Sequence, residues 1–298
     1  MQAFDDAGIR VYALSYDEQE PLKDFAAAYN ITYTLLSDPG SEVIRQFGIL
    51  NTIIAEDDHP WFGIPYPGTY LLDSTGTITH KFFENNLAVR VGPEQLLRAF
   101  RGESLAELTT PAHEEEPKEE PEAVTASVYL EGESLALSVQ RELVARLTVP
   151  GGSHLYASPA PQGMVAVDIE LDENPLLVLR DIVRPASETH SLKGTAETFE
   201  VHHGQVELRL PITINGAVTK GGGPNEVVIA GVLRWQSCND EVCDLPVSNH
   251  FELTVPVDGP VLPQIRVPEG KTTNEPRAGE HFQQMIHRHK NKIQENNE

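Results

Sequence analysis

At 298 residues the chain has room for about two domains and an ample core. Its 40% hydrophobic and 22% charged content is ordinary for a globular protein, but 22 basic against 45 acidic residues leave a formal net charge of −23. That balance argues against nucleic-acid or anionic-membrane partners and for a soluble, self-repelling surface. No run of about 20 apolar residues occurs, so no transmembrane segment is expected. Residues 1–6 show neither the basic nor the apolar region of a signal peptide. Two cysteines alone do not settle a redox compartment.

Residues 2–8 read as the end of a helix that stops at Gly8. Residues 9–15 read as a buried strand. Residues 21–30 carry apolar side chains at helical spacing, and 33–37 form a short strand. Ser41 is expected to cap a helix over 42–47 that ends at Gly48. Residues 69–73 and 77–83 flank Ser74-Thr75-Gly76 as a β-hairpin. A last helix spans 93–100, with Leu96, Leu97 and Phe100 on one side. This βαβα order, followed by a hairpin and a helix, indicates an α/β sandwich. His59, Trp61 and Tyr66 lie in a Pro/Gly-rich loop that reads as packed. His80 reads as structural, and Arg90 is a candidate anion anchor or an ion-paired surface residue.

Residues 108–123 combine proline with a run of glutamates and read as an extended tether, since they bury too little apolar surface to order themselves. Beyond them strand follows strand, over 135–139, 142–149, 165–171, 205–212, 227–233 and 250–257, which suggests a β-sandwich. Gly221-Gly222-Gly223 reads as a flexible loop, not a phosphate cradle. His202 and His203 are adjacent in a strand, so they point to opposite faces and share one metal ion poorly. Residues 259–298 are polar and expected to be disordered, with 280–293 able to form a short amphipathic helix.

Both cysteines, Cys238 and Cys243, fall within residues 231–246. On an extended strand their Cα atoms would lie roughly 16 Å apart, against about 4.4–6.8 Å for a disulfide. A bond between them therefore requires a turn, and Asn239-Asp240 supplies its chemistry. The expected form is a hairpin with a redox-capable pair at its tip. As a staple such a short loop contributes about 2 kcal/mol in the chain-entropy model. Redox function, a structural disulfide, and two unpaired thiols or a metal half-site with His250 all remain open. Asp240, Glu241 and Asp244 crowd the pair, with Arg234 the nearby cation, which disfavours a thiolate. The pair suits being attacked by a partner thiolate and relaying electrons better than attacking peroxide.

Residues 234–246 (RWQSCNDEVCDLP) resemble the signature of the DsbD amino-terminal thiol–disulfide interchange domain, and residues 153–159 (SHLYASP) resemble that family's Gly-x-His-x-Tyr segment. The resemblance covers about residues 124–258. It implies an immunoglobulin-like β-sandwich, reversible dithiol–disulfide exchange at Cys238 and Cys243, a thioredoxin-type or DsbD-type exchange partner, and a periplasmic or otherwise extracytoplasmic setting. The family's aromatic cap over the disulfide has no clear counterpart; Phe199 and residues 190–192 are the candidates. Earlier in the chain, residues 13–17, 35–39 and 66–73 resemble a peroxiredoxin-type redoxin of the AhpC/TSA group, in the thioredoxin fold, over residues 1–100 or so. That resemblance places Pro67 beside the family's reactive cysteine, often through a cis X–Pro bond, and makes Pro67, Thr69 and Arg90 redoxin-pocket candidates. The reactive cysteine belongs near the start of the first helix, and no cysteine precedes Cys238. The redoxin is therefore expected to be incomplete, through truncation rather than degeneration.

The combined expectation is an incomplete α/β thioredoxin-like domain over 1–107, a tether over 108–123, an all-β immunoglobulin-like sandwich over 124–258 and a tail over 259–298. The expected function is a thiol–disulfide oxidoreductase or electron relay using Cys238 and Cys243, with no cofactor and no metal. The alternatives are a non-enzymatic interaction module braced by a structural disulfide, and a peroxiredoxin-type antioxidant enzyme whose amino terminus is missing.

Overall fold

The computed structural model describes residues 1–54, 62–84, 89–103, 121–191, 198–216, 224–239 and 241–258. His59, Trp61, Leu192, the glycine triplet 221–223, Asp240, most of the acidic tether and the tail lie outside them. The chain separates into two compact units, the described part of the first being Met1–Gly68 and that of the second running from Thr69 to Asp258.

The first unit is α/β. Helix α1 (Gln2–Asp6) leads to strand β1 (Tyr12–Ser15), helix α2 (Gln19–Ala28), strand β2 (Thr34–Ser37) and helix α3 (Glu42–Gln46), and β1 and β2 pair in parallel. The expected glycine stops are present: Gly8 and Gly48 have φ of +71° and +70°. After each, the next amide reaches back across the last turn, Ile9 N to Phe4 O at 2.8 Å and Ile49 N to Ile44 O at 3.2 Å. Strand β1 is not buried as expected. Tyr12 is exposed and the other three residues are half-buried, because among the described residues the strand has one neighbour, β2.

The cap of α3 also differs from expectation. Ser41 occupies the N-cap position but sits at φ +53°, and its hydroxyl donates outward to Gly63 O at 2.8 Å. The orphan amides at the helix start go to buried Asp38, whose carboxylate accepts from Glu42 N and Ile44 N at 2.9 Å each. A carboxylate at this end also meets the positive pole of the helix.

The second unit begins with the expected hairpin, β3 (Gly68–Leu72) and β4 (Ile78–Phe83). Asp73 organises its turn by accepting from Thr75 N, Thr75 Oγ1 and Thr77 N. Helix α4 (Pro93–Phe100) follows. Its buried residues are Gln95, Arg98 and Ala99, whereas Leu96 and Leu97 are half-buried and Phe100 is exposed, the reverse of the expected apolar face. Charge pairing explains the inversion. Arg98 Nη2 meets Glu142 Oε2 at 2.5 Å, and Gln95 Nε2 donates to Glu142 Oε1 at 2.7 Å.

The rest of the unit is β. Strands β5 (Thr125–Glu131), β6 (Leu135–Ala136), β7 (Arg141–Thr148), β8 (His154–Tyr156), β9 (Asp168–Leu171), β10 (Leu177–Leu179), β11 (Glu188–Ser191), β12 (Thr198–His202), β13 (Gln205–Ile214), β14 (Glu226–Trp235), β15 (Ser237–Cys238) and β16 (Val247–Asp258) form three four-stranded sheets. Their orders are β10-β13-β7-β5, β11-β12-β8-β15 and β6-β16-β14-β9. The first and third share one apolar core, into which β7 sends Leu143, Ala145 and Leu147, β13 sends Leu208, Leu210 and Ile212, and β14 sends Ile229 and Leu233. Gly231 on β14 is required by proximity: a Cβ there would lie 2.3 Å from Glu170 O of the neighbouring β9.

Strand β13 is buried on both faces. Its outward side chains Glu207 and Arg209 join a network with Glu131, Glu142, Arg98 and Arg146. Arg209 meets Glu142 at 2.9 Å, Glu131 at 3.1 Å and Glu207 at 2.7 Å, and Arg146 meets Glu207 at 2.7 Å. Three guanidinium groups thus face three carboxylates. Burial would lower the pKa of Arg209, but Glu131, Glu207 and Glu142 outweigh it and raise it. Burial raises Glu131, with Arg209 and Arg98 opposing.

Candidate functional site

The hairpin that carries the cysteines is formed by β14 and β16, antiparallel with Trp235 opposite Val247. Its connection leaves the β14 sheet at once. Ser237 and Cys238 form β15, which pairs with β8 in another sheet, Cys238 opposite His154. Trp235, buried in the main core, anchors the departure.

The chain then folds back as the spacing demanded. Asn239 Oδ1 accepts from Glu241 N at 2.9 Å and Val242 N at 2.8 Å, an Asx-type turn. Asn239 N donates to Val242 O at 2.9 Å, and Asp244 N donates to Ser237 O at 2.8 Å. Cys238 and Cys243 come to face each other with Cα atoms 4.0 Å apart and are joined in a disulfide. Buried Gln236 ties the loop at both ends: its Nε2 donates to Asp244 O and its Oε1 accepts from Val165 N, each at 3.0 Å.

The two sulfurs have different surroundings. Cys238 is 3% exposed and packs with Tyr156 and Val201, with Phe199 against them. Cys243 is exposed, as is every described residue from 241 to 250. Beside it stand Val242 and Leu245, the latter 86% exposed, with Glu241 and Asp244 between and around them. Cys243 thus stands in an exposed stretch that carries both apolar and acidic side chains. Arg234 does not offset the acids, because it reaches away to Glu170 at 2.5 Å.

Strand register places a set of rings on one face of the β11-β12-β8-β15 sheet. His190 is opposite Phe199, Val201 opposite Tyr156 and His154 opposite Cys238. Phe199 with Val201, and His154 with Tyr156, are two apart on their strands and so share that face. Tyr156 meets Phe199 edge-on at 6.0 Å. His154 lies 5.6 Å from Tyr156, 4.6 Å from His190 and 5.9 Å from His203 between ring centroids. The Tyr156 hydroxyl is 3.9 Å from Cys243 Sγ and is the donor, since a disulfide sulfur has no proton to give. Burial raises the pKa of Tyr156, which keeps the phenol protonated.

His202 and His203 separate as the strand period requires. His202 is buried with Nδ1 3.2 Å from Ala186 O, whereas His203 is exposed with Nδ1 3.1 Å from Ser153 O. Burial lowers the pKa of His202 below its ordinary 6.5, so the unfolded chain binds that proton more readily than the folded one. Its stabilising contribution is complete above pH 6.5 and is lost as pH falls through the lower folded value. The melting temperature should therefore drop on acidification below pH 6.5, and His202→Gln should flatten that drop. A slope that ignores the substitution would refute the assignment.

The redoxin-pocket candidates are placed differently. Pro67 lies at the end of the first unit, with Thr69 in β3. Tyr66–Pro67 is trans, against the family-based expectation; the cis bond among the described residues is Ser158–Pro159. Arg90 is held on the β strands of the second unit, its N donating to Ser138 O and its O accepting from Gln140 N, both at 2.8 Å. His154, Tyr156 and Gln236 are the site residues that sequence reasoning did not assign a role. The alternation of His154 and Tyr156 within the 153–159 segment was the signal available for two of them.

A disulfide-bonded cysteine pair in a β domain that follows an α/β segment points to thiol–disulfide chemistry. Comparison with known families agrees. Residues 1–81 match the AhpC/TSA family model, and residues 130–256 match that of thiol:disulfide interchange protein DsbD, N-terminal. The first segment is thus similar to a thioredoxin-like redoxin, and the mostly-β domain that follows is similar to the DsbD amino-terminal domain. Among curated relatives, chloroplastic peroxiredoxin Q of Gentiana triflora is 34% identical over 77 residues, 26% of this chain and 32% of that protein. Peroxiredoxin Bcp of Escherichia coli K12 is 33% identical over 86 residues, 28% of this chain and 51% of that protein. The chain therefore spans about a third to about half of the length of these relatives. Among solved structures, the DsbD amino-terminal domain of Neisseria meningitidis in its reduced form shares 17% identity at a TM-score of 0.27, covering 38% of this chain and 77% of that one. The amino-terminal periplasmic domain of ScsB from Proteus mirabilis gives 17% and 0.27, covering 45% of each. No helix among the described residues is long and apolar enough to cross a membrane.

Proposed function

We propose that this chain is a thiol–disulfide oxidoreductase, an electron relay in which Cys238 and Cys243 cycle between disulfide and dithiol. The observation that carries the reading is the asymmetry of the pair, one cysteine buried and the other exposed. An incoming thiolate reaches Cys243 Sγ, forms a mixed disulfide there and releases Cys238, which resolves it in the return direction. The loop supports chemistry over stapling, because Gln236, Asn239 and Asp244 already close it through hydrogen bonds of 2.8–3.0 Å.

The β domain, taken as residues 124–258 and immunoglobulin-like in type, carries the exchange. The redoxin segment, residues 1–107, is joined to it through 108–123, with 259–298 as a tail. Both cysteines of this chain lie in the β domain. The partner is a thioredoxin-type or DsbD-type thiol protein and the setting is periplasmic, as the family match suggests.

The competing reading is an interaction module whose disulfide only braces the hairpin. Equilibration of the pair in glutathione and dithiothreitol buffers, read by mass of trapped thiols, separates the two. A relay should titrate at a potential above about −300 mV and be reduced by thioredoxin. A more negative value together with resistance to thioredoxin would make the bond structural.

A further inference from the structure

We infer that His154 is a positioning residue for the exchange, stabilising the thiolate that Cys238 becomes when the disulfide opens; this rests on the reading of the pair as redox-active. Attack at exposed Cys243 makes buried Cys238 the leaving group. The new S–S bond forms between the incoming sulfur and Cys243, the Cys238–Cys243 bond breaks, and its electron pair stays on Cys238. A second thiol of the partner then displaces Cys243, leaving the partner as a disulfide and the pair as a dithiol. A sulfur anion at 3% exposure is disfavoured unless a donor or a positive charge faces it.

Strand register supplies one. His154 on β8 is directly opposite Cys238 on β15, and such antiparallel partners have Cβ atoms about 4.5–5.5 Å apart on one face. The ring is itself buried, so solvent screens little of its effect. As imidazolium it offsets the charge on Cys238, and it can hand over the proton that completes the dithiol. The acids of the loop, Glu241 and Asp244, are on the exposed Cys243 side. Two tasks are thus divided: an accessible sulfur in acidic surroundings receives the nucleophile, and a buried sulfur opposite an imidazole departs.

Other groups facing His154 bear on its titration. They are Tyr156 on its own strand, His190 on β11 and His203 just past β12. A proton on either of the other imidazoles opposes one on His154. The assisted step should therefore weaken where the cluster must carry a second charge, giving the exchange rate a pH profile shaped by residue 154.

The test follows Cys238 ionisation by thiolate ultraviolet absorbance in Cys243→Ser, with and without His154→Gln. His154→Gln should move the midpoint to higher pH by about one unit or more. Melting of both variants controls for packing, and a change in melting with no change in ionisation overturns the inference. A measurement without substitution covers a variant that fails to fold: the His154 ring, followed by NMR in the full chain, should titrate at higher pH when the pair is reduced than when it is bonded. Identical midpoints in the two states would overturn the role of His154 while leaving the relay intact. A wild-type disulfide that thioredoxin cannot reduce would instead remove the relay reading, and this inference with it.

Discussion

Cys243→Ser should bring exchange with thioredoxin down to the uncatalysed background, whereas Cys238→Ser should accumulate a mixed disulfide at Cys243. The difference follows from access. With Cys243 gone the remaining thiol is enclosed by Tyr156, Val201 and Phe199 and cannot meet a protein partner. With Cys238 gone the remaining thiol stands at the surface, forms the mixed disulfide and finds nothing to resolve it. Mass spectrometry of the trapped adducts reads both outcomes. An adduct at Cys238 in the Cys243→Ser protein would reverse the assignment of the attacked sulfur.

The largest loss of stability should come from Glu142→Ala. Glu142 is 4% exposed and accepts from Gln95 and Arg98 of α4 and from Arg209 of β13. Removing it leaves Arg209, also 4% exposed, short of a counter-charge. Breaking one partner out of such a pair costs about 3–5 kcal/mol, and each kcal/mol lowers Tm by about 2–4 °C for a unit of this size. A drop of roughly 6–20 °C is therefore expected by thermal denaturation. A Glu142→Ala protein that melts within a degree or two of wild type would mean that the network is solvated.

How much of this could be read from the chain depends on whether the cause was local. Gly8, Gly48 and the Asp73–Thr77 turn act through their own backbone, and each was legible. So was the turn between the cysteines, because Asn239 makes it with its own side chain. Ser41 misled because a good cap residue still needs the β region, and here tertiary contact with Gly63 holds it left-handed while Asp38 takes its place. Helix α4 misled more deeply. Its apolar residues suggested the buried face, but the surface it covers presents Glu142, so Gln95 and Arg98 turn inward. No periodicity reports the charge of a strand about 45 residues away. The pairing of β15 with β8 was hidden for the same reason, and with it the place of His154 opposite Cys238.

The ties that Gln236 makes to Asp244 and Val165, and Asn239 to 241 and 242, contain no sulfur. They do not depend on the S–S bond, so the loop is expected to keep nearly the same outline when that bond is cut. On the proposed relay reading, docking should therefore be indifferent to redox state, and an excess of the reduced form should compete with the oxidised form for the same partner.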